Sequence, residues 1–140
     1  MTTDAQDLLI TTRDERGVHT LTMNDARRFN ALSSEMLTAL QQALDAVARD
    51  AGARAVVLAG SGKAFCAGHN LKDMAAHPEL DYYRTLFGQC SRMMLSINQL
   101  DVPVIARVQG IAAAAGCQLV AQCDLAVASS ESSFATSGIH

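Results

Sequence analysis

The chain has 140 residues, 49% of them hydrophobic and 18% charged, a balance that excludes a disordered tail or a disulfide scaffold and fits a single globular domain over residues 1–140. The net charge is −3 and the basic residues are scattered, with Arg27-Arg28 the one adjacent basic pair, so neither nucleic acid nor an anionic membrane surface is an expected partner. No apolar run approaches the ~20 residues that insert into a bilayer, and the acidic start, MTTDAQD, lacks the features of a secretory signal.

A chain of this length buries roughly 68–70% of its unfolded surface, enough for a core without metal or disulfide staples. The four cysteines, Cys66, Cys90, Cys117 and Cys123, form no C-x-x-C pair and sit in apolar surroundings. Reduced, packed thiols are therefore expected, with Cys117 and Cys123 in the core and the protein in the cytoplasm.

Residues 8–12 and 18–23 are short β-branched-rich runs on either side of Arg13-Asp14-Glu15-Arg16-Gly17, which predicts a hairpin whose glycine takes a positive φ. Over 34–49, Leu37, Leu40, Leu44 and Val47 recur at helical spacing behind Ser33 as N-cap. The unbroken apolar run 55–59 predicts a strand covered on both faces. Residues 73–100 are helix-like in parts, with Met93, Met94, Ile97 and Leu100 on one stripe. Residues 102–108 are strand-like behind Pro103, 116–123 form a short helix, and 124–128 another apolar strand. Alternating strands and helices predict an α/β layer with mainly parallel strands. A further strand-like element begins near Phe134, with no closing helix after it, so the sequence is expected to be cut from a longer one.

Ligands of open α/β sheets collect beyond the carboxyl ends of strands, which directs attention to the segments after Ala59 and Val108. The first fails as a P-loop, with Val57 and Ala64 at required positions, and as a dinucleotide fingerprint, with Phe65 where a third glycine belongs. What it does offer is Ala67-Gly68, where backbone can pass close to a ligand, followed by Asn70 as cap of a helix from about Leu71. The second segment, Gly110 to Gln118 (GIAAAAGCQ), aims a helix start from about Ala115 at the same room. Two helix starts converging on one point would make an oxyanion hole; close packing of a helix on a strand explains the same small residues.

At these residues the chain resembles the crotonase (enoyl-CoA hydratase/isomerase) superfamily. The matching segments are Met23 to Leu32 (MNDARRFNAL), Gly60 to Lys72, Gly110 to Gln118 and Cys123 to Ala128 (CDLAVA), in family order. The resemblance implies a crotonase-like spiral of ββα repeats, present here as its N-terminal part without the C-terminal helices. It further implies an acyl-CoA site in which the backbone N–H groups of His69 and Ala115 hold the thioester oxygen. Arg27 matches a basic position near the CoA phosphates, and Ala67, Asn70, Leu71 and Lys72 match the stretch that lines CoA and the acyl chain. No metal is implied, and no cofactor beyond the coenzyme A of the substrate. A homotrimer or hexamer is expected where the C-terminal part is present.

Two departures bear on the chemistry. Hydratases of this family carry glutamates at the places held here by Gln118 and Gly138, and hydration needs a base for the water and an acid for the α-carbon, each worth ~10²–10⁴ in rate. Gln118 orients a water but does not take its proton at neutral pH. The resemblance therefore implies an enzyme of hydratase/isomerase type whose hydratase activity is in question. The alternatives are a non-catalytic acyl-CoA binder, or other enolate chemistry such as isomerisation, decarboxylation or thioester hydrolysis drawing on Asp73, Asp81 or His140. Asn70 stands where an aspartate is usual, and the His69 imidazole is expected to pack or face solvent.

Overall fold

A computed structural model describes residues 8–136. Strands β1 (Leu9–Arg13) and β2 (Val18–Met23) form the expected antiparallel hairpin. Gly17 has φ +84°, and a β-carbon there would lie 2.2 Å from the carbonyl oxygen of Gly52. The turn therefore demands glycine twice, for conformation and for space.

Helix α1 (Ser34–Arg49) starts where Ser33 Oγ accepts the amide hydrogen of Met36, and buries Leu37, Leu40, Leu44 and Val47. Strand β3 (Ala55–Gly60) leads to a three-residue strand β4 (Ala64–Cys66). Helices α2 (Leu71–Ala76) and α3 (Leu80–Gln99) follow, separated by His77-Pro78-Glu79, where proline cannot continue a helix. Strand β5 (Val104–Val108), a second short strand β6 (Ile111–Ala113) and helix α4 (Ala115–Gln122) repeat the order. Strands β7 (Leu125–Ala128) and β8 (Ser133–Ala135) begin it again.

The longer strands form one sheet in the order β1-β2-β3-β5-β7, parallel except at the β1/β2 hairpin, and the short ones a second parallel sheet, β4-β6-β8. Each strand of the first sheet after β2 thus hands the chain to a strand of the second, and the two turn regions at Gly60–Lys63 and Gln109–Gly110 lie over one another. A β-carbon at Gly110, where φ is +63°, would sit 1.8 Å from the carbonyl oxygen of Lys63. The residue pattern alone predicts one layer and no strand at 64–66 or 111–113, because three residues are too few to show a period.

The main core lies between the first sheet and helices α1 and α3, where Leu21, Leu40, Leu44, Val56, Leu58, Met93, Ile97 and Val104 meet. The expectation that 55–59 is covered on both faces is corrected. Val56 and Leu58 are buried under the helices, whereas on the opposite face Ala55 and Val57 are half-buried and only Ala59 is buried, because α1 and α3 share one side of the sheet. Strand β7 is an edge among the described residues, with Leu125 and Val127 62% and 64% exposed. Cys66 and Cys90 are buried, but Cys117 and Cys123, expected in the core, are half-buried. Cys117 sits on the short helix α4 and Cys123 caps its C-terminus, and Gly116 and Leu119 are the buried residues of that helix.

Away from the loops after the strands, Asp50 ties the hairpin to the end of α1. Its Oδ2 accepts from Arg13 Nε at 2.8 Å and lies 2.7 Å from His19 Nε2, while Oδ1 accepts from the amide of Gly52. Arg13 first, then His19 and the Gly52 amide, hold this carboxyl well below the usual range. A depressed pKa adds stability above the unfolded value, near ~4, and loses it as pH falls toward the folded one. The melting temperature should therefore fall less steeply below pH ~4 in Asp50→Asn than in the parent chain. Equal slopes in thermal melts across that range would show that the solvated ion pair contributes nothing.

Candidate functional site

The segments after β4 and β6 meet at Gly68. Its φ is +93°, and a β-carbon on it would stand 3.1 Å from Ala113 O, 3.2 Å from Ala114 Cβ and 3.2 Å from Ala115 N. Residues 67–69 therefore lie directly against the entrance to α4. Helix α4 itself presses on β4: a β-carbon at Gly116 would be 2.1 Å from the carbonyl oxygen of Cys66. The small residues of the alanine-rich stretch thus serve close approach, which brings residues 67–69 next to the first residue of α4. Among the described residues, the amide hydrogens of His69 and Ala115 have no backbone or side-chain acceptor. Ala115 is the first residue of α4, where an amide has no intrahelical partner and the helix dipole is positive. Paired, unsatisfied donors of this kind can stabilise a developing oxyanion.

The neighbouring backbone is firmly tied. The amide of Ala67 donates to Phe29 O at 3.0 Å and that of Leu32 to Gly68 O at 2.8 Å, while Ala114 N–H pairs with Ala135 O at 2.8 Å. Two side-chain amides that sequence reasoning did not single out hold the preceding turn. Asn30, fully buried, donates from Nδ2 to Ser61 O, Ala64 O and Phe65 O at 2.9, 3.0 and 3.2 Å, and accepts the Asp25 amide on Oδ1 at 2.8 Å. Gln109 Nε2 donates to Gly60 O at 2.6 Å and Gly62 O at 3.0 Å. A signal for Asn30 was present: an amide side chain in an otherwise apolar approach to a helix, of a type that tolerates the left-handed conformation it adopts, φ +52°.

Ala114 precedes α4 at φ +50° and ψ −121°, without a side-chain cap. An L-residue in such a conformation stores ~1–3 kcal/mol, and glycine there would forfeit ~0.4–1 kcal/mol through the unfolded chain. Ala114→Gly should accordingly raise stability by about 1 kcal/mol, which a denaturant melt reads directly; a lower midpoint would mean that the methyl packs better than it strains.

The remaining expected residues are distributed around this junction. Asn70 caps α2 as predicted, with Oδ1 accepting from the amides of Lys72 and Asp73 at 3.1 and 3.3 Å. Leu71 and Lys72 are exposed on the first turn of α2. Arg27 is exposed on a 3-10 turn (Ala26–Arg28) that packs over Gly62, where a β-carbon would be 2.7 Å from Ala26 Cβ. Ala67 and Ala115 are half-buried, and Gln118 is exposed on α4. Gly138 and His140 lie outside the described residues. Asp73 is half-buried at the start of α2, and Asp81 is exposed, 3.8 Å from Arg84.

The His69 imidazole packs rather than facing solvent freely. Nδ1 is 3.4 Å from Leu32 O, and the ring meets Phe87 edge to face at 5.2 Å. Burial lowers its pKa from 6.5 against a smaller opposing effect of the Leu32 carbonyl, so the ring is neutral at pH 7. Burial also pushes the Cys66 thiol up to about 12, leaving no thiolate nucleophile at that position.

The sequence profile of the enoyl-CoA hydratase/isomerase family matches residues 13–140. Enoyl-CoA hydratase domain-containing protein 3, mitochondrial, from Xenopus laevis is 42% identical over 128 residues, which are 91% of this chain and 44% of that protein. Two solved structures are similar throughout the chain. An enoyl-CoA hydratase of Mycobacterium smegmatis superposes with a TM-score of 0.92 at 61% identity, and human enoyl coenzyme A hydratase domain-containing protein 3 with 0.88 at 39%. In both, 94% of this chain matches 51% of the other. The chain therefore spans about half the length of the relatives it matches. The expected cytoplasmic location is overturned by these relatives, since those from Xenopus, rat and human are all named as mitochondrial. Packed free thiols select a reducing compartment and do not say which one.

Proposed function

Because this chain belongs to the enoyl-CoA hydratase/isomerase family and has its crotonase-like α/β fold, we propose that it binds an acyl-CoA thioester with the carbonyl oxygen between the amides of His69 and Ala115. The observation that supports this is that neither amide has an acceptor among the described residues, while Gly68, next to His69, lies against the nitrogen of Ala115. Donors fixed before charge develops stabilise an enolate without reorganising, which is where such sites gain rate. Arg27, Lys72 and Leu71 stand at the exposed rim, the two cations suited to CoA phosphates and Leu71 to its apolar parts. Ala67 and Asn70 hold the main chain on either side of the first donor.

The chemistry beyond enolate stabilisation turns on Gln118 and Gly138. Neither carries a carboxylate, so hydration through the family's glutamate pair is weak in this chain, and enolate chemistry or isomerisation requires a proton acceptor from another residue, for which Asp73, Asp81 and His140 are the candidates. Crotonyl-CoA hydration by the parent chain and by Gln118→Glu tests the assignment. Little hydration in the parent and a gain in the variant are expected; brisk parent turnover that ignores position 118 would show the acid/base positions to be misplaced.

A second reading is a non-catalytic acyl-CoA binder, favoured by the exposed, uncharged Gln118 on α4. Calorimetry with acyl-CoA, paired with product analysis across a thioester panel, separates the two: tight binding without product supports the binder, and product formation rejects it.

A further inference from the structure

The sequence holds two tyrosines and four phenylalanines, and both tyrosines and Phe87 form one row with two histidines beside the proposed donor site. From His69 the row runs to Phe87 at 5.2 Å, edge to face. It continues to Tyr83 at 6.4 Å and to Tyr82 at 6.0 Å, and ends on His77 stacked at 4.8 Å. The rings are fixed in advance. Tyr83 donates its hydroxyl to Met74 O at 2.9 Å, Tyr82 packs on the core, and the His69 ring is held between Leu32 O and Phe87. Phe87 nevertheless leaves 44% of its surface open.

The row starts on the residue whose amide faces the proposed thioester oxygen. The His69 ring is one side chain away from that amide, and Phe87 stands against the ring. A prearranged aromatic surface favours a flat π-system over a flexible chain. Ring–ring contacts add ~0.5–1.5 kcal/mol beyond the area they bury, and a rigid aryl group loses less rotational freedom on binding than an alkyl chain of equal carbon count.

We propose that Phe87, with the His69 ring, is a specificity-determining pair that selects acyl-CoA thioesters bearing an aryl group over straight-chain ones. The proposal rests on the donor-site reading above. It makes Phe87 a residue that touches the acyl group rather than one that takes part in bond making.

The test compares binding of 3-phenylpropionyl-CoA and nonanoyl-CoA by calorimetry. Both carry nine acyl carbons and neither has a double bond to hydrate, so turnover does not distort the titration. The intact chain should bind the aryl thioester about three- to tenfold more tightly. Phe87→Leu, which keeps an apolar side chain at a half-open position, should bring the two within about twofold. Equal affinities in the parent chain, or a preference that survives in Phe87→Leu, would overturn the selection. If none of the thioesters binds more tightly than free coenzyme A, the donor site itself fails and the selection falls with it; thioester binding without preference removes the selection alone.

Discussion

Ala115→Pro should lower the rate of enolate formation by about 10²–10³-fold, the cost of removing one preorganised donor. The substitution deletes the amide hydrogen and leaves the helix able to form. Ala115 is the first residue of α4, a position where proline is favoured because its fixed φ suits the helix and the missing N–H had no intrahelical partner. Ala114, at φ +50° and ψ −121°, is not in the extended region to which a following proline restricts its neighbour, so the rate is read only on a variant shown to be folded. The effect is read as exchange of the α-protons of an acyl-CoA with deuterated solvent, followed by mass spectrometry. Far-ultraviolet circular dichroism confirms that the fold persists. Undiminished exchange by a folded variant would remove Ala115 from the oxyanion site. Ala115→Gly, which keeps the amide, should retain most of the rate and thus separates loss of the donor from loss of the methyl.

The largest loss of stability is expected at Asn30. Its two Nδ2 hydrogens are shared among the carbonyl oxygens of Ser61, Ala64 and Phe65, of which Ala64 O also accepts from Gln109, and Asn30 is fully buried. Asn30→Asp keeps the shape and Oδ1, but sets an oxygen without hydrogens, or at most one O–H, against those three acceptors. Leaving buried acceptors unsatisfied costs ~1–3 kcal/mol each, and a buried unpaired carboxylate more. A loss of ~3 kcal/mol or greater in urea unfolding is therefore predicted, with acyl-CoA binding weakened as well because the same turn leads to Ala67-Gly68-His69. A loss below ~1 kcal/mol would mean that water replaces the amide and the turn is not held by Asn30.

Hydrophobic period and local chemistry were legible without coordinates. The stripe Leu37, Leu40, Leu44 and Val47 announced α1, Ser33 and Asn70 announced their caps, and Gly17 announced the hairpin, because each of these is decided by near neighbours in the chain. The ends of the strands pointed to the segments that meet at residues 67–69 and 113–115, and the resemblance assigned roles to the amides there. Only the tertiary structure decided that β4, β6 and β8 form a separate sheet, since pairing between three-residue strands depends on segments some 20 to 50 positions apart. It alone assigned Asn30 and Gln109 to the turn they hold and Phe87 to the side of His69. A hydrogen bond or ring contact between distant positions has no period and leaves no local trace, so its energy is expressed once the backbone has brought the partners together.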